Sequence, residues 1–313
     1  MTRTLVVSID TEVDKGPDWT VSDPPSFRSV VEALPTTVSP LFDRYGAIPT
    51  YLLSQEVIEN DEASGVLAEL GSSAELGTHL HPQFVEPERQ LWPDNMGGQK
   101  ADHIQRQYPK AVEAAKLRTL TESFTARFGR RPTSFRAGRF GWSPDTLELL
   151  AELRYAVDSS VTPGLVWRYS EGVVDHRMWS AIPELIPTGA GPIAELPLSV
   201  RAGGRLAPFV QTLPPVARRL SARALGARAR FAWLRPSWAR PGELAEYVAA
   251  SEEQVLVAMF HSMEIVPGAS PYAADAQGVD RILGSLEELL RHCAENGIGV
   301  VGMTTAAAQL FEV

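Results

Sequence analysis

The chain has 313 residues, of which 44% are hydrophobic and 21% charged, an ordinary composition for a globular protein. Its formal net charge of −9 is uneven, because residues 201–240 hold nine arginines and no acid, and the rest of the chain has 20 bases against 38 acids. The acidity of the rest of the chain excludes a general nucleic-acid binder, which needs a broad basic surface. The single cysteine, Cys293, excludes an intramolecular disulfide.

The N-terminus is read as the first strand of the fold. The apolar part of Met1 to Asp10 is too short for the hydrophobic region of a signal peptide and runs directly into acidic residues. The sequence has no run of 18 apolar residues, the length expected of a membrane span. We therefore expect a cytoplasmic protein without a membrane span.

Short apolar, β-branched runs alternate along the chain with longer helical patterns. The predicted strands are 4–10, 48–54, 74–80, 132–137, 155–161, 193–199, 254–261 and 298–303. The predicted helices are about 55–70, 101–128 (ended by Gly129), a helix capped by Ser143, 241–250 and 277–296. This alternation predicts an α/β fold of parallel units, closed or nearly closed into a barrel. We assign residues 1–313 to one domain with an inserted Arg-rich segment, 201–240.

Residues capable of chemistry follow the predicted strands at the end where a β/α barrel carries its active site. They are Asp10, Glu12, His79, His81, Arg136, Asp158 and His261. Elsewhere the predicted strands are apolar. This coincidence predicts a single site built from several strand ends.

Two pairs in this set predict a metal site. Asp10 and Glu12, like His79 and His81, are two residues apart, so each pair points to one side of an extended segment. One carboxylate and two histidines match a catalytic zinc site, and the second carboxylate remains free as a base. Each pair alone is also compatible with a solvated loop.

The remaining strand-end residues have candidate roles in proton transfer and substrate binding. We expect His261 to act as a general acid oriented by Asp158, and Arg136 to keep the base carboxylate ionised. A structural histidine and a structural ion pair are the alternatives. Arg139, Trp142 and Trp167 follow the same motifs and are candidate substrate-binding residues, although either tryptophan also suits a core position.

At these residues the sequence resembles the polysaccharide deacetylase superfamily, carbohydrate esterase family 4. The similar segments are residues 8–12 (SIDTE), 46–53 (GAIPTYLL), 75–79 (ELGTH), 135–138 (FRAG), Asp158 and 260–262 (FHS). The segments HLHP, FRAGRFG and DSSVTP are most similar to lipopolysaccharide-biosynthesis-like deacetylases. The resemblance runs through most of the chain in order.

The resemblance implies a distorted (β/α)7 barrel that binds a divalent metal, usually Zn²⁺, and removes N-acyl groups from amino sugars. It assigns Asp10 as base and Glu12 as metal ligand. Two departures are visible. The family's adjacent acidic pair is here separated by Thr11, and its second histidine, four residues after the first, is Gln83, so that His81 has to supply that ligand.

The leading hypothesis is a metal-dependent hydrolase that removes an N-acyl group, with acetyl as the first candidate, from an amino sugar or glycan precursor. The alternatives are a deformylase or amidase acting on a small natural-product, lipid-linked or cyclic amide, and a catalytically inactive glycan-binding barrel. For the Arg-rich segment, the alternatives are a surface helix paired with the acidic body and a platform for a phosphate-linked substrate.

Overall fold

The structure is a computed structural model that describes residues 3–90, 103–169, 172–213, 215–226 and 230–312. These residues form the following strands: β1 (Thr4–Thr11), β2 (Thr50–Leu53), β3 (Glu75–Leu80), β4 (Ser134–Ala137), β5 (Val157–Asp158), β6 (Val166–Tyr169), β7 (Gly172–Asp175), β8 (Glu184–Ile186), β9 (Ile193–Glu195), β10 (Val200–Ala202), β11 (Phe231–Trp233), β12 (Val255–His261) and β13 (Gly299–Val300).

The helices surround the main sheet. They are α1 (Ser39–Arg44), α2 (Gln55–Glu59), α3 (Asp61–Glu69), α4 (Lys110–Phe128), α5 (Thr146–Glu152), α6 (Ala207–Thr212), α7 (Pro215–Leu225), α8 (Glu243–Ala249), α9 (Ala276–Glu295) and α10 (Met303–Phe311), preceded by a wide π-type helix at Ser29–Val38. Among the helices of the described ranges, none is apolar over a stretch long enough to span a bilayer.

The main sheet is curled and mostly parallel, in the order β12-β1-β2-β3-β4-β5-β9-β8, with β13 paired to the start of β1. Only β8, at the edge, runs antiparallel to its neighbour. The gap between β9 and β12 is bridged by the chain after β9, where the amide of Ser199 donates to the carbonyl of Val257 (3.0 Å). This arrangement confirms the predicted distorted barrel.

Strand β1 shows that the sheet is covered on both of its faces. All eight residues of β1 are buried. Leu5 and Val7 pack in the larger apolar cluster, whereas Val6 packs in a second cluster with residues such as Val257 and Met303. Since successive side chains of a strand point to opposite faces, a continuous apolar run is what a strand covered on both sides requires.

The eight predicted strands are all present. The helix predicted over 55–70 is divided at Asn60 into α2 and α3, and two other predicted helices begin later than expected. The helix expected to be capped by Ser143 is regular only from Thr146, but Ser143 makes capping contacts: its hydroxyl accepts from the amide of Asp145 (3.1 Å) and its amide donates to the Thr146 hydroxyl (2.8 Å). The described part of the helix predicted over 101–128 begins only at Lys110. It ends as predicted at Gly129, whose φ of +67° suits glycine.

The chain between β5 and β12 departs most from a simple barrel. It contains the hairpin β6–β7, the hairpin β10–β11 and the helices α6 and α7. The predicted Arg-rich helix is α7. The hairpin β6–β7 borders the end of β4, since the hydroxyl of Tyr169 donates to the carbonyl of Arg139.

Candidate metal centre and active site

The register of the sheet brings the strand-end residues together. In the β1–β12 pair Asp10 lies opposite His261, and in the β3–β4 pair His79 lies opposite Arg136. Because these strands are parallel neighbours of one curled sheet, their carboxyl ends converge. Glu12, which follows β1, donates its backbone amide to the Ser262 hydroxyl (3.2 Å), which fixes this part of the chain against the end of β12.

Three buried side chains form a candidate metal centre. The ligand atoms of Glu12, His79 and His81 all lie within 4.8 Å of one another. The Nε2 atoms of His79 and His81 are 3.6 and 3.2 Å from the two carboxylate oxygens of Glu12. Ligand atoms on a tetrahedral zinc are separated by about 3.4 Å, given zinc–nitrogen and zinc–oxygen bonds of about 2.1 Å. These residues therefore fit such an ion.

The hydrogen bond of His79 prepares this ring for a metal. Its Nδ1 lies 3.0 Å from the carbonyl oxygen of Arg136, which can only accept, so we assign the proton to Nδ1. The lone pair of Nε2 then faces Glu12 and Asp10. A backbone acceptor of this kind is the usual means of orienting a ligating histidine.

His81 is held in a different way. Its buried Nε2 atom has no hydrogen-bond partner among the described residues, as expected of an atom whose partner is an ion. Its Nδ1 lies 3.2 Å from a guanidinium nitrogen of Arg139, which only donates. To coordinate through Nε2, His81 has to carry its proton on Nδ1, so the guanidinium has to turn to its other acceptors, Gln83 and the carbonyl of His103.

The ammonium of Lys15 and the neighbouring histidine rings keep Glu12 ionised. Burial raises the pKa of a carboxyl group, but the ammonium of Lys15, which forms an ion pair with Glu12, and the ring of His81 outweigh burial and hold the Glu12 pKa well below its usual value. For His81, burial dominates and lowers its pKa to about 3. The pair therefore presents a carboxylate and a neutral imidazole, the forms that bind a metal.

Asp10 lies against a buried guanidinium. One of its oxygens is 2.6 Å from Arg136, whose remaining donors reach the carbonyl of Ser159 and the hydroxyls of Ser8 and Ser159. Burial would raise the pKa of Asp10, but Arg136, His79 and His261 together lower it. Asp10 is thus an ionised carboxylate, 3.9 Å from the Nε2 atom of His79.

The carboxylate that contacts His261 is Glu264, not the predicted Asp158. The Nδ1 atom of His261 lies 2.7 Å from Glu264, whose oxygen also accepts from Arg235 at 2.6 Å. Burial would raise the pKa of Glu264, but Arg235 and His261 lower it, so the group is a carboxylate. The Nε2 atom of His261 faces Glu12 at 3.8 Å.

Asp158 belongs to a separate buried group. It accepts from the Ser160 hydroxyl at 2.6 Å and lies beside Glu195 on the neighbouring strand β9, where the register pairs the two residues. Burial, and for Glu195 the proximity of Asp158, raise both pKa values. Two adjacent buried carboxyls share a proton more readily than they orient a histidine on another strand. The role predicted for Asp158 towards His261 is therefore corrected.

The three candidate substrate-binding residues lie in different environments. Trp142 is buried, donates from its indole to His176 (3.0 Å) and packs against Trp179, so it offers no free ring face to a sugar. Trp167 is partly exposed and lines a cavity. Arg139 contacts His81, as described above. Trp142 is thus a core residue, the alternative that its sequence pattern left open.

Several site residues were not predicted from the sequence. Glu264 follows His261 by three residues, and Lys15 follows Glu12 by the same interval, spacings that a turn brings into contact. Arg235 is the buried one among the described arginines of the Arg-rich segment, and nothing in its local sequence distinguishes it from the other arginines. Its identification required the packing of β11 against β12, shown by the hydrogen bond from the amide of Met259 to the carbonyl of Leu234.

Comparison with known proteins gives a match to fold but not to a family model. No protein-family model matches the sequence, and no curated protein matches it significantly. Among solved structures, the Puue allantoinase superposes with a TM-score of 0.56 at 12% identity, over 99% of this chain and 90% of that one. A structure named a probable polysaccharide deacetylase from Pseudomonas aeruginosa PAO1 has a TM-score of 0.50 at 14% identity, over 99% and 90% of the two chains. The chain therefore has the distorted-barrel fold that these two proteins share.

Proposed function

We propose that the protein is a metal-dependent hydrolase that removes an N-acyl group from an amino sugar or glycan precursor. The observation that carries this proposal is the convergence of an ion-paired carboxylate (Asp10), a group of three potential metal ligands and a histidine held by a buried carboxylate (His261). A base, a cation site and an acid at one group of strand ends are what amide hydrolysis needs.

Glu12, His79 and His81 would hold the metal, which when bound polarises the acyl oxygen and lowers the pKa of the attacking water. Asp10 accepts the proton that water loses as its oxygen bonds to the acyl carbon. Arg136 holds Asp10 in place and ionised. The reaction breaks the carbon–nitrogen bond, adds hydroxyl to the acyl group and adds hydrogen to the nitrogen.

His261 delivers the proton to the departing amine. Its Nδ1–H points at Glu264, which fixes the ring so that Nε2 faces the site. Glu264 also offsets the positive charge that His261 carries when it is protonated. Arg235 in turn balances Glu264, so the buried carboxylate is held at a defined position. Acid and base assistance each contribute about 10²–10⁴-fold to such reactions.

The experiment compares Asp10→Asn with Asp158→Asn, which makes the same change at another buried strand-end carboxyl. The purified proteins are analysed for bound metal and assayed by mass spectrometry for deacylation of N-acetylated and N-formylated amino sugars and for opening of cyclic amides. We expect both variants to retain metal, and only Asp10→Asn to lose turnover.

The outcomes separate the alternatives. Turnover of cyclic amides alone would assign the amidase alternative, and metal-free protein that gains no activity with zinc, nickel or cobalt would favour the glycan-binding barrel. Undiminished turnover by Asp10→Asn would remove Asp10 as the base.

A further inference from the structure

A large cavity opens between hairpin β6–β7 and the Arg-rich segment. Its volume is about 1090 Å³, and its walls come from β6, α6, α7, β11 and the turn that precedes α8. Pockets that enclose small-molecule ligands usually measure about 300–1,000 Å³. The cavity can therefore hold a group considerably larger than a single sugar ring.

The charged residues of the cavity wall are mainly unpaired arginines. The described lining has five arginines and one glutamate, a formal net charge of +4. Arg240 pairs with Glu243 at 3.3 Å. For the other four, Arg168, Arg218, Arg223 and Arg230, no described carboxylate oxygen lies within 4.0 Å of the guanidinium. The last three belong to the Arg-rich segment, and its interpretation as a surface helix paired with the acidic part of the chain does not account for them.

Aromatic rings connect this cavity to the candidate acid. Trp19 is 6.2 Å from the ring of His261, and Tyr272 is 5.6 Å from Trp19. Trp238 follows at 6.1 Å from Tyr272, and Trp233 at 5.2 Å from Trp238. Trp233 and Trp238 line the cavity.

Two rings of this row are accessible to a ligand. Trp19 is 47% exposed and Trp238 is 46% exposed. The guanidinium of Arg235 lies 4.3 Å from the centre of the Trp238 ring and also bonds Glu264, which holds His261. The side chain of Arg235 therefore contacts both the cavity wall and the carboxylate that holds His261.

We propose that the cavity binds a phosphate or diphosphate through which the reacting sugar is attached to a flat or apolar group. Each unpaired guanidinium can donate two parallel hydrogen bonds to two oxygens of one phosphate group. The net charge of +4 is more than a ligand with a single carboxylate would neutralise. The tryptophans that line the cavity, Trp167, Trp233 and Trp238, provide aromatic surface for the group beyond the phosphate. This inference rests on the proposed function for the position of the sugar at His261.

The test measures ligand binding separately from turnover. Uridine diphosphate, farnesyl diphosphate and inorganic pyrophosphate are titrated into the full-length protein, with binding followed by calorimetry. The variant Arg218→Gln/Arg223→Gln removes two exposed cavity arginines. The control Arg281→Gln/Arg291→Gln removes the same charge from the exposed face of α9 and leaves any binding at the metal centre unchanged.

We expect at least one diphosphate to bind the wild-type and control proteins, and the cavity variant to bind it at least tenfold more weakly, given the strength of charge-assisted hydrogen bonds. A preference for uridine diphosphate would assign a nucleotide, and a preference for farnesyl diphosphate a lipid carrier. Equal weakening in the cavity variant and the control, or no binding of any probe, would overturn the cavity proposal. Deacylation of neutral N-acyl sugars would be unaffected by that result, so the proposed function fails only in its own test.

Discussion

Replacement of Arg139 by glutamine is expected to tighten zinc binding. The guanidinium of Arg139 donates to Nδ1 of His81 at 3.2 Å and so favours the tautomer with its proton on Nε2, the atom that faces Glu12. A metal on Nε2 requires the opposite tautomer, with Nδ1 as donor. Glutamine can accept that hydrogen bond through its side-chain oxygen, whereas arginine cannot.

The magnitude follows from what the arginine gives up on metal binding. A hydrogen bond to a charged group contributes about 1.5–3 kcal/mol. Arg139 recovers part of this from the carbonyl of His103 (3.1 Å) and from Gln83 (3.4 Å). Changing the partner of a ligating histidine typically alters metal affinity about 10–100-fold. We therefore expect an increase near the lower end, about tenfold.

The assay is a competition titration of metal-free protein with zinc and a chromophoric chelator at pH 7.5. The control is Arg139→Lys, which keeps a positive donor and offers no acceptor, so its zinc affinity should not rise. Both residues replace arginine at a φ of +55°, so the backbone conformation is equally demanding in the two variants. Zinc affinity in Arg139→Gln that is unchanged or weaker than in the wild type would refute this assignment of the His81 proton.

Three further predictions concern the acid, a buried histidine and a close contact in the sheet. Glu264→Gln should reduce kcat by about 10²-fold or more, with a smaller effect on KM, because it removes the carboxylate that orients His261, whereas Asp158→Asn should change kcat little. A larger loss of kcat in Asp158→Asn than in Glu264→Gln, measured in steady-state assays, would restore Asp158 as the orienting group. Burial lowers the pKa of His176 to about 4, so the stability that its neutral ring contributes is complete above about pH 6.5 and is lost as the pH falls towards 4, by up to about 3 kcal/mol. The unfolding free energy should therefore fall less between pH 7.5 and pH 4.5 in His176→Gln than in the wild type. An equal fall in the two proteins would contradict the assignment. Gly77→Ala should destabilise the protein by about 1–3 kcal/mol, because the added Cβ would meet the Ser134 carbonyl oxygen at 2.5 Å. Gly284→Ala, on the open face of α9, should not destabilise it. Equal urea unfolding midpoints for the two variants would disprove the close contact at Gly77.

The barrel and the positions of its strand ends were predictable because hydrophobic pattern is a local property. A strand such as β1, buried on both faces, is recognisable as a continuous apolar run, and the polar residues after it identify its carboxyl end. Parallel packing then brings Asp10, His79 and His261 together without further information. The pairing of Asp10 with Arg136 depends only on this convergence.

Contacts between insertions and the barrel were not predictable in the same way. Arg235 and Glu264 are separated by 29 residues and meet because β11 packs beside β12, which no periodicity indicates. The roles of Trp142 and Asp158 also depended on burial, which selects a core hydrogen bond for one and a carboxyl neighbour for the other. The sequence identified the residue types at the site more securely than their partners.

The buried ion pair between Arg235 and Glu264 sets a limit on how the Arg-rich segment can be exchanged. A chimaera that replaces residues 201–240 as a block would leave the Glu264 carboxylate in the interior without its counter-ion, a change that typically destabilises a protein by about 3–5 kcal/mol. A graft that ends before β11 would keep the pair and could vary α6 and α7 freely. Such a graft would change the cavity arginines Arg218 and Arg223 while it keeps the ion pair that holds His261.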